Sequence, residues 1–312
     1  MREDVISSAC PSVMGNGRHR GAVEKTARTV FRLCAFFAVS AVGFITVYMV
    51  AGGMPAIGKV GLRELLFTTV WRPTAAEPRY GILAVILTSV VGTSLAVLLG
   101  MPVGILTAVF IAEFSGRRTA AALRAMVELL AGVPSVVYGL LGIFIVNPLI
   151  YKLELRLFAD SPDHQFTGGA NLLSAVMVLA VMILPTVISI SENAIRSVAN
   201  DIRSASLALG ASRIQTVFKA VLPAARPGIE TAVTLGVGRA MGEAMALTLI
   251  SGGCVNMPLP FASVRFLTTA IVSEMGYSQG THRQVLFTVG LVLFVFIMLI
   301  NLALNGMMRR EA

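Results

Sequence analysis

The chain has 312 residues, of which 56% are hydrophobic and only 13% charged, with a mean hydropathy of +0.81. A soluble domain carries about 25% charged residues, so the composition excludes a soluble globular protein and predicts an all-α integral membrane protein. The formal net charge of +9 does not predict a nucleic-acid binder, because the basic residues gather in the polar segments between apolar runs, which is the pattern of membrane topology.

Residues 1–29 are rich in Ser, Gly and Arg and read as a disordered cytoplasmic tail, with residues 30–312 as one transmembrane domain. Six apolar segments follow, at about 31–51, 82–111, 125–150, 172–190, 228–250 and 285–305. A helix needs about 20 mostly apolar residues to span a bilayer, so six transmembrane helices are predicted. Pro102 and Pro134 are expected to kink the second and third. The first segment has no small-residue cleavage pattern behind it and is read as a retained helix rather than a signal peptide. About twice as many Lys and Arg fall in the tail, the 112–124 and 191–227 segments and the C-terminus as in the alternate set of loops. That bias places both termini and the 191–227 segment in the cytoplasm.

The polar segments at 52–81, 151–171 and 251–284 then lie outside. Trp71 in the first of them is expected to be an interfacial anchor. Asn147 is expected near the outer interface. The three histidines, His19, His164 and His282, have no spaced partners, and solvated side chains are expected. The three cysteines are widely separated and predict neither a disulfide framework nor a metal site. Gly53–Lys59 matches the first seven places of a P-loop, but the eighth is Val60. The magnesium-binding hydroxyl is missing, so no cofactor is expected on this chain, and any ATP-Mg belongs to a separate ATPase subunit.

The 191–227 segment carries a distinctive pattern. Residues 202–209 form a short polar helix, Gly210 makes a turn, and Ser212 with Gln215 is spaced as a capping box for a second helix. Ile214, Val217, Phe218 and Val221 fall at i, i+3, i+4, i+7 and share one predicted face. Pro223 and Pro227 are expected to end that pattern. A helix–glycine–helix held between spans suits the docking of another protein; a solvated amphipathic helix on the membrane and a DNA-binding helix-turn-helix are the alternatives that the flanking spans disfavour.

In the fifth segment Arg239 is near the middle, with Glu243 at i+4. A charge at the bilayer centre costs ~2.5–3.5 kcal/mol even on the lenient scale. The two side chains are expected to meet on one helical face. Gly238 and Gly242 form GxxxG, predicting close packing on a partner. One reading is a structural ion pair. The other is an anion station, in which the planar guanidinium donors match an oxyanion and Glu243 tempers the hold so that the anion can leave. Pro134 and Ser135 in the third segment, and Pro185 in the fourth, could free backbone groups to line a path or could only kink their helices.

Several of these motifs resemble one family. Ser204, Ala205 and Ser206, then Gly210 and Leu222–Pro223, resemble the cytoplasmic coupling loop of ABC-importer permeases, with Ser204 where that family has Glu. Gly238–Glu243 (GRAMGE), 130–139 (LAGVPSVVYG), and Glu64–Phe67 with Trp71–Pro73 resemble phosphate-specific permeases of the PstC type. Ala244 stands where that family often has Thr. The similarity runs from about Phe31 to the C-terminus. It implies a six-helix permease subunit of the bacterial inner membrane that passes inorganic phosphate and is not itself an enzyme. It also implies three partners: a second, PstA-type permease subunit, an ABC ATPase dimer, and a periplasmic or lipid-anchored phosphate-binding protein. Arg239, Glu243 and Ser135 would line the path, and Ser204, Ala205, Gly210, Leu222 and Pro223 would couple to the ATPase. Phosphonate or sulfate as the oxyanion, an ion-coupled carrier using Glu243, and a membrane assembly protein remain alternatives.

Overall fold

A computed structural model gives the fold of residues 17–162 and 164–310. Helix α1 runs Gly17–Val60, so the part of the expected tail from Gly17 on is helical and residues 1–16 lie outside the described residues. The chain divides into two units, one up to Ala51 and one from Gly52. The first consists, in its described part, of α1 alone, with large apolar side chains exposed along its length (Phe36, Phe37 and Phe44 are each more than 70% exposed). That is the surface of a helix meant for lipid or for another chain rather than water.

The second unit holds everything else. Helix α2 (Leu62–Phe67) leads into a two-stranded hairpin, β1 (Trp71–Arg72) paired antiparallel with β2 (Arg79–Tyr80), with Trp71 opposite Tyr80. Then come α3 (Leu83–Val109), α4 (Arg117–Gly132), α5 (Ser135–Leu141) and α6 (Asn147–Leu157). Helix α7 (Leu172–Ser197) is followed by the short α8 (Asn200–Ala208) and α9 (Arg213–Thr216). The chain closes with α10 (Leu222–Gly242), α11 (Met245–Ile250), α12 (Leu267–Glu274) and α13 (Gly280–Arg310).

Among the described residues, five helical stretches are long and apolar enough to cross a membrane: Glu24–Val60, Leu83–Phe114, Ser135–Leu157, Leu172–Ser197 and Gly280–Ala303. Four of them extend the apolar runs expected from sequence by polar turns at one or both ends. The remaining two expected spans are corrected. The run at 125–150 is not one helix: α4 stops at Gly132, Val133 and Pro134 are extended, and α5 begins at Ser135. Proline disfavours helical geometry in the residue before it, so Pro134 breaks the helix rather than kinking it. The run at 228–250 breaks as well, between α10 and α11, where Glu243 is extended (ψ 128°). No proline marks that break.

Three π-helical turns interrupt the longer helices, at Phe110–Phe114, Gly142–Val146 and Val217–Val221. The second and third each end two residues before a proline, Pro148 and Pro223. A proline ring crowds the carbonyl four residues back and offers it no N–H. A wider turn accommodates both effects, and the helix continues. Pro223 and Pro227 therefore do not end the helix, as expected from sequence; both lie inside α10, and Thr231 Oγ1 donates to the Pro227 carbonyl at 2.9 Å.

Helix α7 is the axis of this unit, with 61% of its most apolar window buried, and α3 and α10 pack along it. The close approach depends on small residues on the neighbours. A Cβ added at Gly100 of α3 would stand 2.8 Å from the Ala180 carbonyl oxygen, one at Gly104 2.8 Å from Val187, and one at Gly228 of α10 2.4 Å from Ala194. Among the described residues nothing lies within 4 Å of a Cβ at Gly238 or Gly242, so no packing partner for the GxxxG pair is found there. Those two glycines leave an open face beside Arg239 instead.

Gly100→Val should lower the thermal denaturation temperature of the detergent-solubilised protein, with a cost of about 1–3 kcal/mol for overpacking against backbone. Gly58→Ala, at a helical glycine with open space around it, should not lower it.

Candidate functional site

The helices that follow the two breaks meet. Helix α5 crosses α11 where Gly139 and Gly142 let the backbones approach: a Cβ at Gly139 would lie 2.8 Å from Leu249 and 3.0 Å from Ala246, and one at Gly142 would lie 2.8 Å from Ile250. Breaking a helix in an apolar medium leaves N–H and C=O groups without partners. Side chains supply those partners here. Tyr138 Oη donates to the Leu130 carbonyl at 2.7 Å, closing the first break. At the second, the Glu243 carboxylate accepts from the Ala246 N–H at 3.0 Å, and Thr268 Oγ1 donates to the Glu243 carbonyl at 2.6 Å. A buried apolar cluster that includes Tyr138, Leu179, Met182, Leu247, Ile250 and Phe266 packs around the crossing.

Arg239 lies in the last turn of α10, half-buried. The expected i, i+4 ion pair with Glu243 is not formed. Helix α10 ends at Gly242, which carries Glu243 off the face that Arg239 occupies, and its carboxylate turns to Ala246. Arg239 Nη1 donates instead to Thr186 Oγ1 of α7 at 3.1 Å. Among the described residues no carboxylate stands within ion-pair distance of the guanidinium, so its charge is not neutralised. Ser135, the first residue of α5, is half-buried at the neighbouring break. Arg239 and Glu243 thus stand at the second break and Ser135 opens the helix after the first, and the structure adds Thr186, Tyr138 and Thr268 as their hydrogen-bonding neighbours or those of the breaks, which sequence reasoning missed. The one sequence signal for Thr186 is its place after Pro185 in an otherwise apolar helix.

The helix–glycine–helix is at one end of the bundle. Gly210 has φ +84°, the left-handed region that favours glycine. The capping box is present in full: Ser212 Oγ accepts from the Gln215 N–H at 3.3 Å, and Gln215 Oε1 accepts from the Ser212 N–H at 2.9 Å. The expected single apolar face splits in two. Val217 and Val221 are buried against α3, α7 and α10, while Ile214 and Phe218 are exposed together with Leu207 and Leu209. The π turn at Val217–Val221 shifts the helical register, which is why one stripe becomes two. Ser204 and Ala205 are exposed, Leu222 is half-buried, and Pro223 is exposed in the first turn of α10.

This end is pinned by Glu113 at the foot of α3. Arg203 Nη2 donates to the Glu113 carboxylate at 2.7 Å and also to the Ile195 carbonyl at 2.9 Å. Arg213 donates to the Glu113 carbonyl, and its guanidinium sits 5.6 Å from the Phe114 ring centre. Beside it, Glu192 is buried and accepts from Arg124 at 2.6 Å and Arg196 at 2.8 Å.

The opposite end is pinned by two buried acids, and both correct the expectation of solvated histidines. Glu154, fully buried, accepts from the Thr167 N–H at 3.1 Å and pairs with His164 Nε2 at 2.9 Å. The His164 ring stacks on Phe158 at 3.8 Å. Glu274 accepts from Trp71 Nε1 at 3.1 Å, pairs with His282 Nε2 at 2.7 Å and binds Arg265. Trp71 is therefore a partner of a buried acid rather than a free interfacial anchor. Burial pushes the nearby Tyr80 hydroxyl above the ordinary tyrosine range, so it stays protonated. Asn147 is also buried. A cavity of about 490 Å³, with Phe158, His164, Phe166, Asn256 and Phe261 in its lining, opens at this end.

Comparison with known proteins gives one consistent result. Residues 100–310 match the family described as binding-protein-dependent transport system inner membrane component. The chain is 36% identical to YqgH of Bacillus subtilis, a probable ABC transporter permease protein, over 94% of this chain and 95% of that one. It is 30% identical to the phosphate transport system permease protein PstC of Mesorhizobium japonicum, over 89% and 88% respectively. Its fold is similar to a chain of a bacterial alginate ABC transporter solved in complex with an alginate pentasaccharide-bound periplasmic protein (TM-score 0.62, 18% identity, 92% of this chain and 97% of that one).

Gly210→Val should cost about 1–2 kcal/mol of local stability, from left-handed backbone strain alone, because nothing crowds a Cβ there. Gly210→Asn, which tolerates that conformation better, should cost less. Limited proteolysis of the 200–216 segment is the readout, with cleavage fastest in the valine variant.

Proposed function

The chain belongs to the inner membrane components of binding-protein-dependent transport systems, and we propose that the solute it passes inward is inorganic phosphate. It is an ABC-importer permease subunit of the inner membrane, a transport subunit rather than an enzyme. Such permeases work with an ATPase and a substrate-binding protein.

The observation that carries the phosphate reading is Arg239. It is a half-buried guanidinium in the last turn of α10, held by one neutral hydroxyl, that of Thr186, beside the break after Gly242 and an open glycine face. A charge kept in an apolar region at this cost marks a site by default. A planar set of N–H donors with no carboxylate to occupy them matches an oxyanion. PstC relatives named for phosphate transport support the choice among oxyanions. Ser135 stands at the adjoining break, within the same region of the path.

The partners follow from the same reading. A second, PstA-type permease subunit completes the path. An ABC ATPase dimer carries ATP-Mg and docks at the Gly210 end, on the surface formed by Ser204, Ala205 and the exposed Leu207, Leu209, Ile214 and Phe218, with Leu222 and Pro223 leading from it into α10. A phosphate-binding protein meets the opposite end. Both termini lie in the cytoplasm, and six membrane crossings result if the broken α10–α11 segment is counted as one.

The test is labelled-phosphate uptake into proteoliposomes that hold the assembled permease pair and ATPase, with binding protein on the receiving face and ATP on the ATPase side. Uptake should require ATP and be competed by phosphate but not by sulfate. Arg239→Ala should abolish it with assembly intact, and Arg239→Lys should keep a fraction. Normal uptake by the alanine variant would remove Arg239 from the path, and competition by sulfate would move the substrate to another oxyanion.

A further inference from the structure

We propose that Glu243 and Thr268 are positioning residues that hold the α10–α11 break open beside Arg239, and that Glu243 acts as a hydrogen-bond acceptor rather than as a counter-charge. The inference deepens the reading of Arg239 as the anion contact and rests on it only for its transport readout.

Three observations carry it. The Glu243 backbone is extended while the residues before it are helical, so its side chain leaves the stripe on which an i+4 partner of Arg239 would lie. Its carboxylate is 3.0 Å from the Ala246 N–H, one of the donors that the first turn of α11 leaves without an intrahelical partner. Its carbonyl, at the other side of the same break, takes the Thr268 hydroxyl at 2.6 Å. Thr268 is buried. One residue therefore offers both polar ends to the break: the side chain serves the N-terminal end of α11, and the backbone is tied to α12. No Lys or Arg among the described residues stands within ion-pair distance of Glu243.

An acceptor and a counter-charge differ in what replaces them. Glutamine keeps an acceptor oxygen at the same reach and removes the charge, whereas alanine removes both. Serine at 268 keeps the hydroxyl, and valine keeps the shape without it. In the assembled complex, amide hydrogen exchange over residues 244–250 reads the break directly, and phosphate uptake reads its consequence at Arg239. Glu243→Ala and Thr268→Val should speed exchange about tenfold, the scale of a lost cap, and lower maximal uptake by a similar factor. Glu243→Gln and Thr268→Ser should stay within about threefold of the parent in both. Co-purification of the ATPase confirms assembly, and Thr268→Val keeps the test open if Glu243→Ala fails to assemble.

Glu243→Gln falling as far as Glu243→Ala in uptake, with exchange still protected, would overturn the proposal and restore the carboxylate as a counter-charge. Unchanged exchange in both Glu243→Ala and Thr268→Val would overturn it as well. A parent complex that moves no phosphate, yet shows the glutamine–alanine and serine–valine splits in exchange, would refute the phosphate reading and leave the positioning role standing.

Discussion

A backbone N–H or C=O placed in hydrocarbon without a partner costs several kcal/mol, and the architecture of this chain is organised around that constraint. Unbroken helices meet it at no cost in side chains. The two breaks, after Gly132 and after Gly242, do not, and each is accompanied by side-chain hydrogen bonds to backbone groups around it. Tyr138 serves Leu130, Glu243 serves Ala246, and Thr268 serves Glu243. The π turns before Pro148 and Pro223 are the milder answer to the same problem, since they keep the helix continuous where a proline withdraws a donor. Arg239 lies in the last turn before the second of these breaks.

Packing density allows the breaks to adjoin. Gly100 and Gly104 bring α3 onto α7, Gly228 brings α10 onto the same helix, and Gly139 and Gly142 bring α5 over α11. At Gly100, Gly139 and Gly228 the facing atoms include backbone or the Cβ of an alanine, which no rotamer change can move aside. Ion pairs then fix the ends. Glu113 and Glu192 collect arginines from the elements around the Gly210 turn, and at the other end Glu154 binds His164 and Thr167 while Glu274 binds Trp71 of the hairpin, Arg265 and His282 of α13. Each of these acids is mostly buried; Glu192, Glu154 and Glu274 have donors from more than one residue, and Glu113 takes two nitrogens of Arg203. Removing one partner from such a group costs more than the pair contributes, because it leaves a charge in a low dielectric. These contacts enforce a particular arrangement more than they add stability.

The sequence made some of this legible and hid the rest for identifiable reasons. Apolar runs located the helices because hydrocarbon thickness sets their minimum length. The capping box at Ser212 and the turn at Gly210 were visible because every group involved lies within four residues. Reasoning failed wherever a partner lies far along the chain. His164 looks solvated until Glu154, ten residues away across a turn, is brought beneath it; His282 and Trp71 need Glu274; Arg203 needs Glu113. The Arg239–Glu243 pair was misread for a different reason. The i, i+4 rule assumes a continuous helix, and nothing between Gly238 and Met245 declares a break, since the residues that hold it open include Thr268 on another element. Pro134, by contrast, does declare one. The GxxxG of Gly238 and Gly242 is legible as a small-residue face, and among the described residues that face meets open space.

Helix α12 ties these levels together. It has eight residues, about 12 Å of axial length at 1.5 Å per residue. Thr268 near its start bonds the break beside Arg239. Glu274 at its end binds Trp71 of the hairpin, Arg265 and His282. Its first N–H, that of Leu267, donates to Ser89 Oγ of α3 at 2.8 Å. Every one of these contacts is short, directional and buried or nearly so, which makes α12 a strut rather than a tether. The α10–α11 break, through Thr268, and the hairpin, through Glu274 and Trp71, are thus held by the two ends of one short helix.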